Sequence, residues 1–472
     1  MDVVDNAQKF AELRAKYPEF HYNNYAWREE ADAFVVEFEF VVPGLAKFTP
    51  TTRILKKQLP WRELSAGRRA LWAFNLGLAE LISYWKATCS PRVVINCGML
   101  TDDQIAWWKK LYYYGLGELF YRNNIRVSLD DFMSIERADT LGERASTLPK
   151  HDGMMIDRAN TFTELAGYLI PIGGGKDSNV TLETLDIDHA RDLVAIVNPK
   201  YVTRKCAELA GFQDAQIVEV ERKIDEGLLA LNQRGFINGH TPFSSVLAFY
   251  LSCAAEMLGK KYVVVSNEDS ANEANVSEVD ANHQYSKSFA FEEDFRHYAR
   301  IFVRTEVEYF SFLRPLNELQ IAGIFARYEK YFDVFKSCNV GSKSEPWQWC
   351  GNCAKCLFAF VILAPYLYPN RLVEIFGQDL FEREDLWTML LQLTGDYENK
   401  PFECVGTYAE VQLALKLVLE KFSGRPLPVL LARYQTAYGE RVVDEGLLNA
   451  WNDNNNLTTE QAECLRKALN VG

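Results

Sequence analysis

Three stretches of this chain carry residues whose types and spacing suit chemistry. The first is Gly173-Gly174-Gly175-Lys176-Asp177-Ser178, entered by the apolar run Tyr168-Leu169-Ile170-Pro171-Ile172 and left through a helix-like segment at 179–185. Glycines let backbone N–H groups close on an anion, and a helix N-terminus adds partial positive charge, so this stretch reads as a phosphate cradle. The second, 267–288, leaves the carboxyl end of the apolar run Tyr262-Val263-Val264-Val265. It carries Asn267, Glu268, Asn272, Glu273, Asn282, His283, Gln284 and Lys287. Carboxylates serve Mg²⁺ or proton transfer, amides orient carboxyl groups and cations hold phosphates. A solvated turn-rich loop would have a similar composition. Its length, its place at a strand end and its mix of acid, base and amide favour ligand contact. The third is Cys338 followed by Cys350-Gly351-Asn352-Cys353-Ala354-Lys355-Cys356, a C-x11-C-x2-C-x2-C pattern. Four thiolates so spaced can close a tetrahedral zinc site. The C-x2-C-x2-C part also occurs in iron–sulfur ferredoxins, and a metal-free cluster is the third reading.

The elements around these stretches predict how they are held. Region 161–370 alternates strand-like runs at 167–172, 193–197, 216–220, 262–266 and 309–313 with helical patterns at 202–210, 243–258 and 291–303. Such alternation argues for a parallel α/β sheet, whose ligands sit beyond the carboxyl ends of the strands. The glycine stretch, Asn198-Pro199 and Asn267-Glu268 all fall at such ends. Region 1–160 reads as α+β, with one strand over 34–42, helices over 71–85 and 102–121, and a polar linker at 130–158. Trp107, Trp108 and Tyr112-Tyr113-Tyr114 fit either a stacking platform for a ring ligand or, more commonly, core. Region 371–472 is helical, with helices over 407–422 and after a Thr458/Gln461 capping box, and its pattern suits packing or dimerisation.

Composition bounds the rest. At 472 residues the chain is long enough for about three domains, and 48% hydrophobic with 24% charged residues is a globular balance. The net charge of −13 without a basic stripe argues against a broad nucleic-acid face. The N-terminus lacks a signal-peptide pattern, and the apolar run 357–364 is far short of the ~20 residues that span a bilayer. A soluble cytoplasmic protein with no membrane partner is expected. Its ten cysteines are then reduced thiols or metal ligands. The oligomeric state is left open.

The glycine stretch fails the Walker A pattern twice, because Asp177 follows Lys176 and Ile170 stands where the first glycine belongs. It resembles instead the PP-loop, S-G-G-x-D-S, of ATP pyrophosphatases. Gly174, Gly175, Asp177 and Ser178 match, and Gly173 replaces the usual serine. Those enzymes cut ATP to AMP and pyrophosphate, usually to adenylate a substrate. The cysteine pattern is similar to the zinc site of 7-cyano-7-deazaguanine synthase, a shorter PP-loop enzyme. Taken together, most of the chain resembles the ATP-dependent UDP-N-acetyl-α-D-muramoyl-L-alanyl-L-glutamate epimerases of the MurL type.

That resemblance implies a PP-loop (adenine nucleotide alpha hydrolase-like) core with ATP and Mg²⁺ as cofactors and a UDP-linked muramoyl dipeptide as substrate. Its terminal L-Glu would be inverted to D-Glu. Gly173, Gly174, Gly175 and Ser178 would then bind phosphates, with Lys176 neutralising charge, Asp177 holding Mg²⁺ and Asn198 near the nucleoside. Glu268, His283 and Lys287 would be acid, base or carboxylate-binding groups. Asn267, Asn272, Glu273, Asn282 and Gln284 would orient substrate or metal. Cys338, Cys350, Cys353 and Cys356 would hold structural zinc. An adenylating ligase or synthase, a tRNA-modifying enzyme and a non-catalytic nucleotide-binding protein are the alternatives.

Overall fold

The computed structural model describes residues 4–137, 164–272, 285–342, 345, 347–397 and 400–470. Eleven strands are described. In chain order they are β1 Glu19–Glu29, β2 Ala33–Val42, β3 Ala46–Phe48, β4 Thr51–Leu55, β5 Arg92–Ile95, β6 Ser134–Arg137, β7 Tyr168–Pro171, β8 Leu193–Val197, β9 Ile217–Lys223, β10 Tyr262–Val265 and β11 Glu308–Ser311. The chain forms two compact units. One comprises Met1–Leu169, Val218–Val263 and Ala281–Tyr309, and the other Ile170–Ile217, Val264–Asp280 and Phe310–Gly472.

In the first unit the strand order is β9-β4-β2-β1-β5-β6, with β3 on β2. The pairs among β1, β2, β3, β4 and β9 are antiparallel, whereas β5 runs parallel to both β1 and β6. The alternation expected over 34–42 holds from Phe38 to Val42, while Ala33 to Val36 are buried on both faces. The helix Ala66–Trp85 starts earlier than its apolar pattern suggested, because Ser65 Oγ accepts the Arg68 N–H at 3.2 Å and caps it. From Trp72 to Trp85 every residue of it is buried.

Two expectations for this unit change, and a third holds in part. The helix over 102–121 is two helices, Asp102–Gly115 and Gly117–Arg122, parted at Leu116. The stretch beginning at 130 is not linker throughout, since β6 occupies Ser134–Arg137 in parallel register with β5; residues 138–158 lie outside the described residues. The aromatic run is core at Trp108 and Tyr112, the commoner of its two readings, while Trp107, Tyr113 and Tyr114 are half-buried. Trp108 is buried with its Nε1 donating to Tyr298 Oη at 2.9 Å, and Tyr112 Oη donates to the Leu78 carbonyl at 2.6 Å.

The second unit carries the carboxyl ends of β7, β10 and β11 and the whole of β8. The strands sit in the order β11-β10-β7-β8. β10 is parallel to β7. The strand-like runs of 161–370 are all strands within three residues of their expected bounds, the largest difference being β9, which runs on to Lys223. The remainder of the unit is helical, including Tyr408–Lys421 and Thr459–Asn470. The chain is therefore α/β, with a mixed sheet and a helical C-terminal region. Among the described residues no helix is long and apolar enough to cross a membrane.

Close packing of the first unit is testable at Gly77, in the middle of its buried helix. A Cβ there would stand 1.8 Å from Tyr22 Oη and 2.9 Å from Phe38 Cδ1. Both neighbours are buried, so Gly77→Ala is expected to lower stability by about 1–3 kcal/mol, read from urea unfolding.

Candidate active site

The site is built at strand ends of the second unit. After β7 the chain turns through Gly173, Gly174 and Gly175 into the helix Lys176–Thr184. Gly174 has φ +83°, and a Cβ on it would meet Val202 Cγ1 at 2.7 Å, so both backbone and space demand glycine there. Gly173 is exposed and a Cβ on it would meet nothing within 4 Å. Gly175 is the helix N-cap and supplies no side-chain hydrogen bond. The first-turn N–H groups thus lack the side-chain oxygen that normally satisfies one of them, which suits an anion. Ser178 is buried, its Oγ 3.3 Å from the Gly175 carbonyl.

Lys176 and Asp177 open this helix. The Lys176 ammonium is buried and pairs with both Asp177 and Glu318. Burial pulls its proton affinity down, but the two carboxylates outweigh that and hold the amine above its usual value. Glu318 begins the helix Glu318–Phe325, which Asn317 caps by accepting the Gln320 N–H at 3.0 Å. Burial, with Asp177, Glu268 and Glu410, pushes the Glu318 carboxyl well above the carboxylate range, and Lys176 opposes them. Glu268, buried just beyond β10, completes the group, with ligand oxygens of Asp177, Glu268 and Glu318 all within 4.8 Å of one another. The backbone of Glu268 is held by Arg314, a fully buried residue whose Nη1 donates to its carbonyl at 2.9 Å. Three carboxylates, two of them buried, beside one lysine are an oxygen donor set of the kind Mg²⁺ takes.

Glu318 had no place among the residues singled out in the sequence. The available signal was Asn317-Glu318-Leu319-Gln320, a capping pattern following a strand end, with an acid at the first helical position. The C-terminal helical region, expected to serve packing, also reaches this group. Glu410 Oε1 accepts the Glu318 N–H at 2.6 Å while Oε2 accepts the Thr407 N–H in a capping box.

The other expected residues are distributed as follows. Asn267 follows β10, and its carbonyl accepts Ser311 Oγ at 2.6 Å. Asn198, exposed at the end of β8, has φ +48°, a left-handed conformation that asparagine tolerates. Lys287 closes a turn at Tyr285–Lys287 in the first unit. Glu273, Asn282, His283, Gln284 and the Asn272 side chain lie outside the described residues.

The four cysteines converge. Their sulfurs lie within 4.8 Å of one another, with Cys350 and Cys353 each 3.5 Å from Cys356. A Zn–S bond of about 2.3 Å implies tetrahedral S···S edges of about 3.8 Å, so the donor set fits zinc. Backbone N–H groups already point at the sulfurs. Gly341 donates to Cys338 at 3.3 Å and Gly351 to Cys356 at 3.3 Å. Hydrogen bonds from Cys353 and Cys356 pull the Cys338 thiol down, and Cys338 in turn pushes Cys353 up to about 12. The sulfurs compete for protons that a metal would displace.

Comparison with known proteins gives the class of the molecule. Residues 11–312 match the family model described as the MurL N-terminal domain, and residues 334–445 the one described as the MurL C-terminal domain. The chain belongs to the MurL family. Three similar relatives are each named UDP-N-acetyl-alpha-D-muramoyl-L-alanyl-L-glutamate epimerase. The one from Xanthomonas oryzae pv. oryzae is 32% identical over 354 residues, spanning 73% of this chain and 74% of its own. That from a Micromonospora species is 34% identical over 402 residues, or 84% and 86%. That from Salinispora tropica is 32% identical over 402 residues, 84% of each chain. The relatives are isomerases by name, and this chain is an enzyme of the same family.

Two predictions follow from the site geometry. Gly174→Ala is expected to cost at least about 1–2 kcal/mol from its left-handed backbone alone, whereas Gly173→Ser leaves the melting temperature within a degree or two (roughly ±0.5 kcal/mol for an exposed site). Thermal melts of the two variants check this. Lys176→Ala leaves buried carboxylates uncompensated and is expected to cost about 3–5 kcal/mol. With Lys176 gone, Glu318 holds its proton far above its unfolded value. The native state then binds more protons than the unfolded one, and stability falls as pH rises above the usual carboxylate range. Urea unfolding at pH 5 and pH 8 without divalent cations should show the larger loss at pH 8.

Proposed function

We propose that this chain inverts the terminal L-Glu of UDP-N-acetylmuramoyl-L-Ala-L-Glu to D-Glu in an ATP-dependent reaction on a PP-loop core, as a cytoplasmic enzyme of peptidoglycan precursor synthesis. The observation that carries the reading is the uncapped glycine-loop helix N-terminus joined, in one unit, to Lys176 and the trio Asp177, Glu268 and Glu318. The names of the relatives supply the substrate.

The chemistry gives ATP a purpose. Removing an α-proton beside an ionised carboxylate would build a dianion. If the glutamyl carboxylate attacks the α-phosphorus of ATP, pyrophosphate leaves and the carboxylate becomes an acyl adenylate without that negative charge. The α-proton can then pass to a base on one face, and an acid can return a proton on the other. Each positioned group is worth roughly 10²–10⁴ in rate. Water finally cleaves the acyl–phosphate bond, giving D-Glu and AMP.

The roles divide accordingly. The backbone N–H groups of Gly173, Gly174 and Gly175 and the Ser178 hydroxyl bind the leaving phosphates, Lys176 offsets their charge and Asn198 lies toward the nucleoside. Asp177, Glu268 and Glu318 hold Mg²⁺, which screens phosphate charge when bound. Glu268 thereby serves the metal rather than proton transfer. His283 and Lys287 remain the proton-transfer candidates. Asn267, Asn272, Glu273, Asn282 and Gln284 orient the substrate. Cys338, Cys350, Cys353 and Cys356 hold structural zinc.

Chiral analysis of glutamate after incubation with the UDP-linked dipeptide, ATP and Mg²⁺ tests the reading. Accumulation of D-Glu is expected, with AMP and pyrophosphate released and with ATP-dependent exchange of the α-hydrogen in D₂O. Pyrophosphate release with L-Glu unchanged would make the chain an adenylating ligase instead. Glu318→Gln is expected to reduce turnover by about 10²-fold or more, the usual loss for a group that stabilises developing charge.

A further inference from the structure

We propose that Lys336-Ser337-Cys338 is a strap through which the four-cysteine cluster positions the phosphate loop, so that metal at the cysteines sets how tightly the loop holds the phosphates of ATP. The proposal rests on the nucleotide-binding reading above for its ligand, though not for its geometry. All the contacts lie within the second unit.

The Lys336 N–H donates to the Gly174 carbonyl at 2.8 Å. That carbonyl belongs to the same rigid, trans peptide plane as the Gly175 N–H, so anchoring one end of the plane aims the other away from the strap. In a loop of three glycines, whose backbones have the widest choice of conformation, such an anchor removes freedom that would otherwise be lost on binding. The next residue bears on the next glycine, since a Cβ on Gly175 would lie 3.6 Å from Ser337 Cβ. One residue later Cys338 is buried in the sulfur cluster.

The strap is itself braced from the cluster. The buried Lys336 ammonium donates to the Asp333 carbonyl at 3.1 Å and lies 5.9 and 6.0 Å from the ring centres of Phe335 and Trp349. Trp349, which precedes Cys350, packs on Phe335 with ring centres 5.3 Å apart. A second contact reaches the neighbouring strand end. Trp347 stacks on Tyr201 with ring centres 5.8 Å apart, and Tyr201 opens the helix that follows Asn198. The cysteine segment therefore bears on the loops at the ends of both β7 and β8. Without metal the four sulfurs are bound only through weak S–H and N–H contacts, and the end of the strap loses its fixed point.

Hydrogen exchange of the 173–178 amides in the full chain reads this directly. Metal content is measured by elemental analysis before and after chelation. Stripping the metal is expected to speed loop exchange by about tenfold or more, the size expected when a local opening becomes easier by a single anchoring bond. ATP affinity should fall in parallel. Lys336→Pro, which lacks the N–H, should speed the loop with metal retained, whereas Lys336→Met keeps the N–H and the slow exchange. Because the two perturbations break one chain of contacts, stripping Lys336→Pro should add little further. The proposal is overturned if the purified chain carries no metal, or if stripping leaves loop exchange unchanged in a chain that keeps its far-UV CD. It also falls if stripping speeds the loop as much in Lys336→Pro as in the unaltered chain. Should Lys336→Pro not fold, the stripping experiment on the unaltered chain decides alone. Loop exchange that responds as expected in a loaded chain that binds no ATP would overturn the nucleotide reading and leave the strap standing.

Discussion

A buried ammonium surrounded by carboxylates is the constraint on which the second unit depends. Lys176 is withdrawn from water, and only Asp177 and Glu318 make that tolerable. Neither side is satisfied alone. The acids outnumber the lysine, and burial raises the cost of each uncompensated charge. A fold that holds this group must bring three strand ends or helix starts together: the turn after β7, the segment after β10 and the helix start beyond β11. Three carboxyl groups around one ammonium also present oxygen atoms that can accept a further cation, so the same electrostatics that burden folding favour a bound cation.

Helix starts around the buried lysine are satisfied in different ways. Thr101, Ser65, Asn317 and Thr407 each place a side-chain oxygen on an N–H of the first turn. The helix at Lys176 begins without one. Two of these caps bear on the buried lysine's counterion. Asn317 fixes the start from which Glu318 projects, and Thr407 and Glu410 fix a carboxylate oxygen on the Glu318 backbone. The uncapped start is kept in register by its surroundings, with Val202 on one side of Gly174 and the Lys336 N–H on its carbonyl.

Much of this was legible in the sequence because it rests on local rules. The glycine turn, the strand runs of 161–370 and the cysteine spacing are short-range patterns, and the strands appear within three residues of where period and turn residues put them. The missing parts have non-local causes. β1 carries Asn23, Asn24 and Arg28, and its pairing with β2 and β5 rather than its own pattern makes it a strand. β6 is four residues in a polar stretch, stabilised by parallel register with β5. Glu318 was overlooked because an acid at a helix start looks like a macrodipole complement. Only tertiary packing turns it toward Lys176.

The double role of Glu410 has a consequence for how the protein is made. Lys176 is separated from Glu318 by 142 positions, and Glu318 from Glu410 by a further 92. A ribosome delivers the amine long before its counterion and the counterion long before the acid that secures its backbone. During that interval the nascent glycine loop carries a lysine with nowhere dry to go, and water is its best partner. The central group of the second unit is therefore among the last things the chain can assemble, although the stretch that defines it is among the first of that unit to emerge.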